Sequence, residues 1–142
     1  MSIGKKSKRA VNAIREKIYA RDGFVCVASA WGSRCRGGLT IQHAVKRGMG
    51  GSNLWDTPKY LRTMCAKHND EDASVADFRR RSLLNGWSIS RNEAIANPDA
   101  QVPVLYPDGR WYLLDDSFNR EPISDVGAAL LRAERADYVW EG

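Results

Sequence analysis

Residues 39–69 read LTIQHAVKRGMGGSNLWDTPKYLRTMCAKHN, and they include both histidines of the chain. The alternating, β-prone residues at the start predict a strand over 39–45, which carries His43 out to a glycine-rich loop. The chain then returns through an apolar segment to Cys65 and His68, three residues apart, where a polar helix is predicted to begin. We therefore expect this stretch to decide the fold and to hold the chemistry of the protein.

Hydrophobic spacing and turn residues predict the other elements, and together they indicate an α+β fold. These elements are a helix over 10–20 that ends at Asp22-Gly23, a short strand that starts at Phe24-Val25, a helix from Ala66 to about Leu84, a hairpin over 102–114 with its turn at 107–109, and a helix from Asp125 to about Val139 capped by Ser124. The apolar residues that we expect to face the core are Leu61, Met64, Val75, Phe78, Leu83, Val126, Ala129, Leu130 and Ala133.

The chain of 142 residues is long enough for one small core with an appendage. We divide it into a flexible basic tail over 1–9, a core over 10–86 and a hairpin-plus-helix extension over 87–142. The tail is either a phosphate-binding arm or a disordered terminus without a role. The aromatic residues of the extension either pack in the core or form a partner surface; they are Trp111, Tyr112, Tyr138 and Trp140.

The composition excludes several classes of protein. No apolar run approaches the roughly 18 residues that a membrane span needs, and no apolar segment follows the basic N-terminus as it would in a secretory signal. Three cysteines argue against a disulfide framework and leave metal binding open. We therefore expect a cytoplasmic protein in a reducing compartment, without a membrane partner.

The net charge of +5 hides an asymmetry between the two halves of the chain. Residues 1–67 contain 14 Lys and Arg against 3 acids, whereas residues 68–142 contain 8 Arg against 14 acids. A first half this basic suggests a polyanion partner, most often nucleic acid, although a solvated basic face is the alternative. Lys46, Arg47 and the backbone amides of the glycine-rich loop are candidates for contacts with phosphates.

A structural zinc ion prefers cysteine and histidine ligands. Four residues of the chain match that preference: Cys26, Cys35, Cys65 and His68. The spacing of Cys65 and His68 suits one turn at a helix start. The spacing of Cys26 and Cys35 is wider than the usual two to four intervening residues. The alternative is that the cysteines are small buried hydrophobes, but a zinc ion would use all three and would staple a short core.

Four segments, in this order and spacing, resemble the HNH endonuclease family, in particular its zinc-containing, phage-encoded members. The resemblance covers about residues 14–80. The segments are Arg21-Asp22-Gly23-Phe24-Val25-Cys26, Leu39-Thr40-Ile41-Gln42-His43, Gly50-Gly51-Ser52-Asn53, and Leu61-Arg62-Thr63-Met64-Cys65 with Asn69.

The resemblance implies a ββα-metal fold, similar to a treble clef, in which two strands and a helix hold one divalent cation, usually Mg²⁺ or Mn²⁺. It implies that His43 is the general base that activates water, a role that suits a side chain titrating near neutral pH. Asn69 would be a cation ligand, as in the H-N-N subset of the family, and Gln42 would be a weak second ligand. Lys46, Arg47 and Arg62 would contact DNA phosphates.

Gln42 departs from the family pattern, because an aspartate usually precedes the base histidine. A neutral amide offers Mg²⁺ no charge, so a carboxylate from elsewhere would have to help. The candidates for that carboxylate are Asp56, Asp70 and Glu71. The middle asparagine of the family falls by spacing on Tyr60, and Asn53 is the nearest substitute.

The sequence thus predicts a metal-dependent DNA endonuclease of the HNH type, acting on double-stranded DNA by nicking or full cleavage, in the cytoplasm of a host cell if a phage encodes it. The alternative is an HNH-like, zinc-containing module that binds nucleic acid, or a phage or host protein, and cuts poorly or not at all. A zinc-stabilised interaction protein unrelated to nucleic acid is a third reading.

Overall fold

Short helices and strands alternate along the chain in the computed structural model, which describes residues 8–31, 33–46 and 54–141. Within those residues the fold is mixed α+β. The elements in chain order are α1 (Lys8–Arg21), β1 (Leu39–His43), a 3₁₀ turn (Pro58–Tyr60), β2 (Leu61–Cys65), α2 (Ala66–Ser74), α3 (Ala76–Leu84), α4 (Arg91–Ala96), β3 (Val104–Leu105), β4 (Trp111–Leu114), β5 (Arg120–Ile123), α5 (Asp125–Glu134) and α6 (Ala136–Glu141).

Strand β2 lies at the centre of the first half of the chain. It pairs antiparallel with β1, with Leu39 opposite Cys65 and His43 opposite Leu61. All five residues of β2 are buried, because α1 packs on the strand and the chain after α1 covers its outer edge. There the amide of Val27 donates to the carbonyl of Thr63 at 2.9 Å. Helix α2 begins directly after β2, so the hairpin and this helix form one continuous unit.

The buried carboxylate of Asp22 joins α1, β2 and the C-terminal extension. Arg21 donates to both of its oxygens, at 2.8 and 3.0 Å, and the backbone amide of Thr63 donates to Oδ2 at 2.9 Å. The hydroxyl of Tyr106, far along the chain, donates to Oδ1. A buried carboxylate is stable only when it is paired and hydrogen-bonded, and here three separate segments supply the donors.

The extension packs against the first half rather than standing apart from it. Strands β3, β4 and β5 form an antiparallel sheet, and its third strand was not expected from the sequence. Val104, Tyr106 and Tyr112 from this sheet share one hydrophobic cluster with Cys26 and Phe78. Trp111 and Tyr112 are buried, which places two of the four aromatic residues in the core; the side chain of Trp140 lies outside the described part of the structure.

A buried ion pair fixes the C-terminal helices. Arg135, only 3% exposed, donates to both carboxylate oxygens of Glu93 at 2.7 and 3.1 Å and to the carbonyl of Leu83 at 3.1 Å. Residue 135 is also where the helix expected over 125–139 divides into α5 and α6. Ser124 caps α5 as expected, because its hydroxyl accepts a hydrogen bond from the amide of Gly127.

The prediction of which α5 residues face the core is wrong. Val126 and Leu130 are 71% and 65% exposed, Ala129 and Ala133 are also exposed, and Ala128 is buried instead. Ala128, Arg132 and Arg135 follow one another at intervals of four and three residues, so they share a helix face. The stacking of Arg132 on Trp111 and the ion pair of Arg135 turn that face toward the protein.

Three other boundaries differ from the expected ones. The helix expected over 66–84 breaks at Val75, whose extended backbone (φ −116°, ψ 111°) separates α2 from α3 and leaves this side chain 43% exposed. No strand forms at Phe24, because this residue takes the left-handed conformation (φ 58°) together with Gly23. Strand β1 ends at His43 rather than at residue 45.

Leu61, Met64, Phe78 and Leu83 are buried, as expected. Residues 1–7 of the expected tail lie outside the described residues, and Lys8 and Arg9 belong to α1. Among the helices of the described segments, none has the length and apolar character of a membrane span.

We expect Gly86→Ala to destabilise the protein far more than Gly109→Ala. Both glycines have positive φ (74° and 80°), so each substitution places a side chain in the left-handed region at roughly 1–2 kcal/mol. A Cβ at residue 86 would also lie 2.0 Å from the carbonyl oxygen of Pro103, whereas nothing lies within 4 Å at residue 109. Urea unfolding measures both changes, and equal losses of unfolding free energy would contradict the packing at Gly86.

Candidate metal centre and the adjoining polar cluster

The structure brings the four expected zinc ligands together. The Sγ atoms of Cys26, Cys35 and Cys65 lie 3.5, 3.7 and 3.3 Å from Nδ1 of His68, and all four ligand atoms lie within 4.8 Å of one another. Cys35 is exposed and the other three residues are buried. The four side chains can therefore hold a metal ion.

The distances are compatible with a tetrahedral ion such as zinc. With Zn–S bonds of about 2.3 Å and a Zn–N bond of about 2.0 Å, the sulfur and nitrogen corners of a regular tetrahedron lie roughly 3.5 Å apart. The three measured separations between Sγ and Nδ1 scatter around that value. Three thiolates and one imidazole are also soft and borderline donors, which suits zinc better than magnesium or calcium.

The second nitrogen of His68 has its own partner. Nε2 lies 2.8 Å from Oγ of Ser33, so the imidazole can keep its proton there and present a lone pair on Nδ1 to the metal. The ring of Phe78 stacks on the imidazole at 5.2 Å between centroids, with the planes 5° apart. Burial lowers the pKa of His68, which keeps the imidazole neutral and able to bind a cation. Neither Ser33 nor this role of Phe78 was expected from the sequence.

Cys65 belongs to the metal centre and also caps α2. Its Sγ accepts a hydrogen bond from the amide of His68 at 3.4 Å, which satisfies one of the free amides of the first helical turn. Burial acts to raise the pKa of this thiol, but hydrogen bonds from the amides of His68 and Arg36 and from the other two thiols outweigh it, so the pKa is lowered. By contrast, burial raises the pKa of Cys26 to about 12.

The loop that carries Cys35 is held against the start of α2. The amide of Ala66 donates to the carbonyl of Gly38 at 3.0 Å, and the amide of Lys67 donates to that of Arg36 at 3.1 Å. Gly37 has a φ of 74°, and a Cβ there would lie 2.7 Å from the Cβ of Ala66. This close approach brings Cys35 to the centre despite its wide separation from Cys26 in sequence.

His43 lies at the other end of the β1–β2 hairpin. Its side chain is 34% exposed, and Nε2 lies 3.5 Å from Oδ1 of Asp56. Asn69, on α2, donates from Nδ2 to Oγ1 of Thr40 at 2.8 Å and to the carbonyl of Ile41 at 3.3 Å, so it fastens the helix to β1. These contacts place a carboxylate beside the partly exposed imidazole, whereas the amide of Asn69 is bound to the preceding part of β1.

Gln42 does not fit the expected role of a cation ligand. It is completely buried, and Nε2 donates to Oδ2 of Asp72 and to Oγ of Ser88, both at 2.9 Å. Its Oε1 is buried and has no hydrogen-bond partner among the described residues. One neutral oxygen without accessible surface does not meet the need of Mg²⁺ or Mn²⁺ for several oxygen ligands, usually including water. The acid that Gln42 contacts is Asp72 rather than one of the three suggested helpers, and the helper Asp56 lies beside His43 instead.

The structure also corrects the expected contact between Arg62 and phosphate. Arg62 is 1% exposed and donates to the carbonyls of Gly86 and Lys59 at 3.1 and 2.6 Å. Burial lowers its pKa to about 9, which still leaves the guanidinium protonated at neutral pH. Arg62 is therefore a structural cation of the core. Arg47 and the segment Gly50-Gly51-Ser52-Asn53 lie outside the described residues.

A scan against protein-family models finds no match to this chain, and searches of curated proteins and of solved structures find none either. What is known of the site therefore comes from its own geometry, in which the four ligands form the best-defined feature.

We expect the purified protein to hold one zinc ion per chain, and a chelator to lower its melting temperature sharply, because the centre joins three segments around a short core. Cys65→Ser should remove the metal. Ser33→Ala keeps all four ligands and should lower zinc affinity by roughly 10–100-fold. Elemental analysis and competition with a zinc-binding dye measure both effects, and a folded, metal-free wild type would contradict the assignment.

Adjacent glycines offer a second test of the same centre. Gly37→Ala should weaken zinc binding and stability, because its Cβ meets Ala66 and its φ is positive. Gly38→Ala should change little, since nothing lies within 4 Å of a Cβ at that position. Zinc competition and thermal unfolding compare the two variants. Equal behaviour would show that the close approach of the loop to α2 is not needed.

Proposed function

We propose that β1, β2 and α2 form a ββα-metal unit stapled by zinc, and that the protein is a DNA endonuclease of the HNH type. The observation that carries this proposal is the position of His43. It ends β1 opposite Leu61, while the zinc ligand Cys65 pairs with Leu39 at the other end. With a rise of about 3.3 Å per residue, the two ends lie roughly 13 Å apart, so the metal centre holds the hairpin without occupying the position of His43.

The chemistry that suits His43 is general base catalysis. Its imidazole would take a proton from water as the water oxygen forms a bond to phosphorus. The bond between phosphorus and the 3′ oxygen would break, and the 3′ oxygen would take a proton from solvent. Asp56, 3.5 Å from Nε2, would stabilise the imidazolium that this proton transfer produces. The exposed fraction of His43 allows a phosphodiester to approach.

The distribution of cations supports a nucleic acid substrate. The 14 Lys and Arg of residues 1–67 far exceed the 3 acids of that half. Helix α1 presents an exposed row of basic side chains, and Lys46, beyond β1, is 37% exposed at its side chain. Neutralising phosphates releases counterions from DNA and would make binding depend on salt. The exposed cations of α1 are Lys8, Arg9, Arg15 and Lys17.

A specific observation favours a second candidate, a zinc-stabilised module that binds DNA without cutting it. Among the residues that the structure describes, the zinc centre is the one group of three or more His, Cys, Asp or Glu side chains placed to hold a metal. Gln42 is buried where the family pattern places a carboxylate ligand. This candidate keeps the fold, the zinc and the basic surface, and dispenses with hydrolysis.

We expect zinc-loaded protein to convert supercoiled plasmid to nicked or linear DNA, and His43→Ala to lower the rate by roughly 10²–10⁴-fold through loss of the base. Asp56→Asn should lower it less, since Asp56 acts through His43. Agarose gels measure the rates with Mg²⁺, with Mn²⁺ and with neither. Unchanged zinc content and melting temperature would show that His43→Ala remains folded.

The other outcomes separate the two candidates. Cleavage that persists in His43→Ala would rule out His43 as the base. No cleavage in any buffer, with a gel shift that weakens as salt increases, would favour the binding module. If no gel shift appears even at low salt, both candidate functions are excluded.

A further inference from the structure

Asp72 on α2 lies at the centre of a buried polar cluster beneath β1. Its side chain has no exposed surface, and its carboxylate accepts hydrogen bonds from Nε2 of Gln42 and Oγ of Ser88. Nζ of Lys46 lies 2.6 Å from Oδ2, and Nη1 of Arg79 lies 3.4 Å from the same oxygen. Two cations and two neutral donors thus surround one carboxylate.

Lys46 is the exposed member of this cluster. Its side chain is 37% exposed, against 23% for Arg79 and none for Asp72. An ammonium has three donors, and Asp72 takes one of them. Asp72 Oδ2 contacts both Lys46 and Gln42, and Gln42 directly precedes His43 in β1, so the charge of Lys46 lies near the end of β1 that carries the candidate base.

The positive charges of the cluster already exceed its negative charge without a divalent cation, because Lys46 and Arg79 face the single carboxylate of Asp72. Burial acts to raise the pKa of Asp72, but the charge of Lys46 and the hydrogen bonds to the carboxylate outweigh it, so the pKa is lowered and Asp72 is ionised. An aspartate at position 42 would add a second carboxylate beside Asp72, and paired carboxylate oxygens are the ligands that a divalent cation prefers. Gln42 adds none, and Lys46 and Arg79 already offset Asp72.

We propose that the ammonium of Lys46, held on Asp72, supplies at this end of β1 the positive charge that the family resemblance assigns to Mg²⁺ or Mn²⁺. A phosphate of the DNA would then bind to the exposed side of Lys46, and this contact needs no divalent cation. The inference rests on the proposed function for its substrate, but its statement about cations is independent of whether the protein cuts DNA.

The direct test is to titrate zinc-saturated protein with Mn²⁺. The electron paramagnetic resonance signal of free Mn²⁺ measures how much of the ion is bound. We expect no Mn²⁺ to be bound by wild type at this cluster. Gln42→Asp should create one Mn²⁺ site per chain by adding the missing carboxylate, and Gln42→Asp/Asp72→Asn should lose it. A Mn²⁺ site in wild type that disappears in Asp72→Asn would overturn the proposal, and so would a Gln42→Asp variant that folds and binds no Mn²⁺.

DNA binding tests the role of Lys46 itself, by fluorescence anisotropy of a labelled duplex without added divalent cation. We expect Mg²⁺ not to improve the affinity of wild type. Lys46→Met should weaken binding and reduce the slope of log affinity against log salt by about 1. Mn²⁺ should restore part of its affinity, because Asp72 then keeps only the longer contact with Arg79 as a charged partner. Lys17→Met is the matched control, since it also removes one exposed charge but should gain no response to Mn²⁺.

A further variant keeps the test decisive if Lys46→Met fails to fold. Lys46→Met/Asp72→Asn removes the cation and the buried charge together, so it should fold, bind DNA weakly and ignore Mn²⁺. DNA binding as tight as that of wild type in this variant would overturn the role of Lys46. If wild type neither binds nor cuts DNA, the proposed function fails, and the Mn²⁺ titration still decides whether this cluster admits a divalent cation.

Discussion

The convergence of three sulfur atoms on one imidazole nitrogen constrains the first half of this protein. Cys26 follows α1, Cys35 lies in the loop before β1, and Cys65 and His68 mark the junction of β2 with α2. A tetrahedral ion bound by these four side chains would allow little variation in the distances between them, so it would hold the three segments in one arrangement. Strand β2 is fully buried beneath α1 and the chain that follows α1, and α2 begins directly at its end. A small core of this kind gains from such a constraint, because it can bury only a limited apolar area.

Buried ion pairs constrain the packing of the second half of the chain in a similar way. Asp22 receives donors from α1, β2 and Tyr106, and Glu93 receives the guanidinium of Arg135. Charged groups of this kind stabilise a fold only when every donor and acceptor is placed well, and a poorly placed partner costs more than it contributes. They therefore select one packing of the extension against the core. The apolar face left exposed on α5 is a consequence, since the position of Arg135 determines how that helix is rotated.

The two ends of the β1–β2 hairpin differ in their chemistry. One end holds soft ligands around a candidate zinc centre, and the other holds His43 beside a carboxylate and close in sequence to Lys46. Between them, Gln42 turns its amide toward Asp72 instead of toward solvent. Position 42 is thus a neutral amide, and a lysine offsets the acid that the helix contributes. The composition of this buried cluster would therefore decide whether a lysine or a divalent cation supplies the positive charge at the proposed DNA site.

The sequence by itself determined the features that depend on local chemistry. Three cysteines and a histidine indicate a metal ligand set, Ser124 indicates a helix cap, and Gly23 indicates a helix end with positive φ. Such features require only neighbouring residues. Only the tertiary structure decided that Ser33 meets His68, that Asp72 meets Gln42 and Lys46, and that Arg62 is buried. Those pairs lie far apart in the chain, or their exposure depends on how whole elements pack, and no local pattern of residues specifies either.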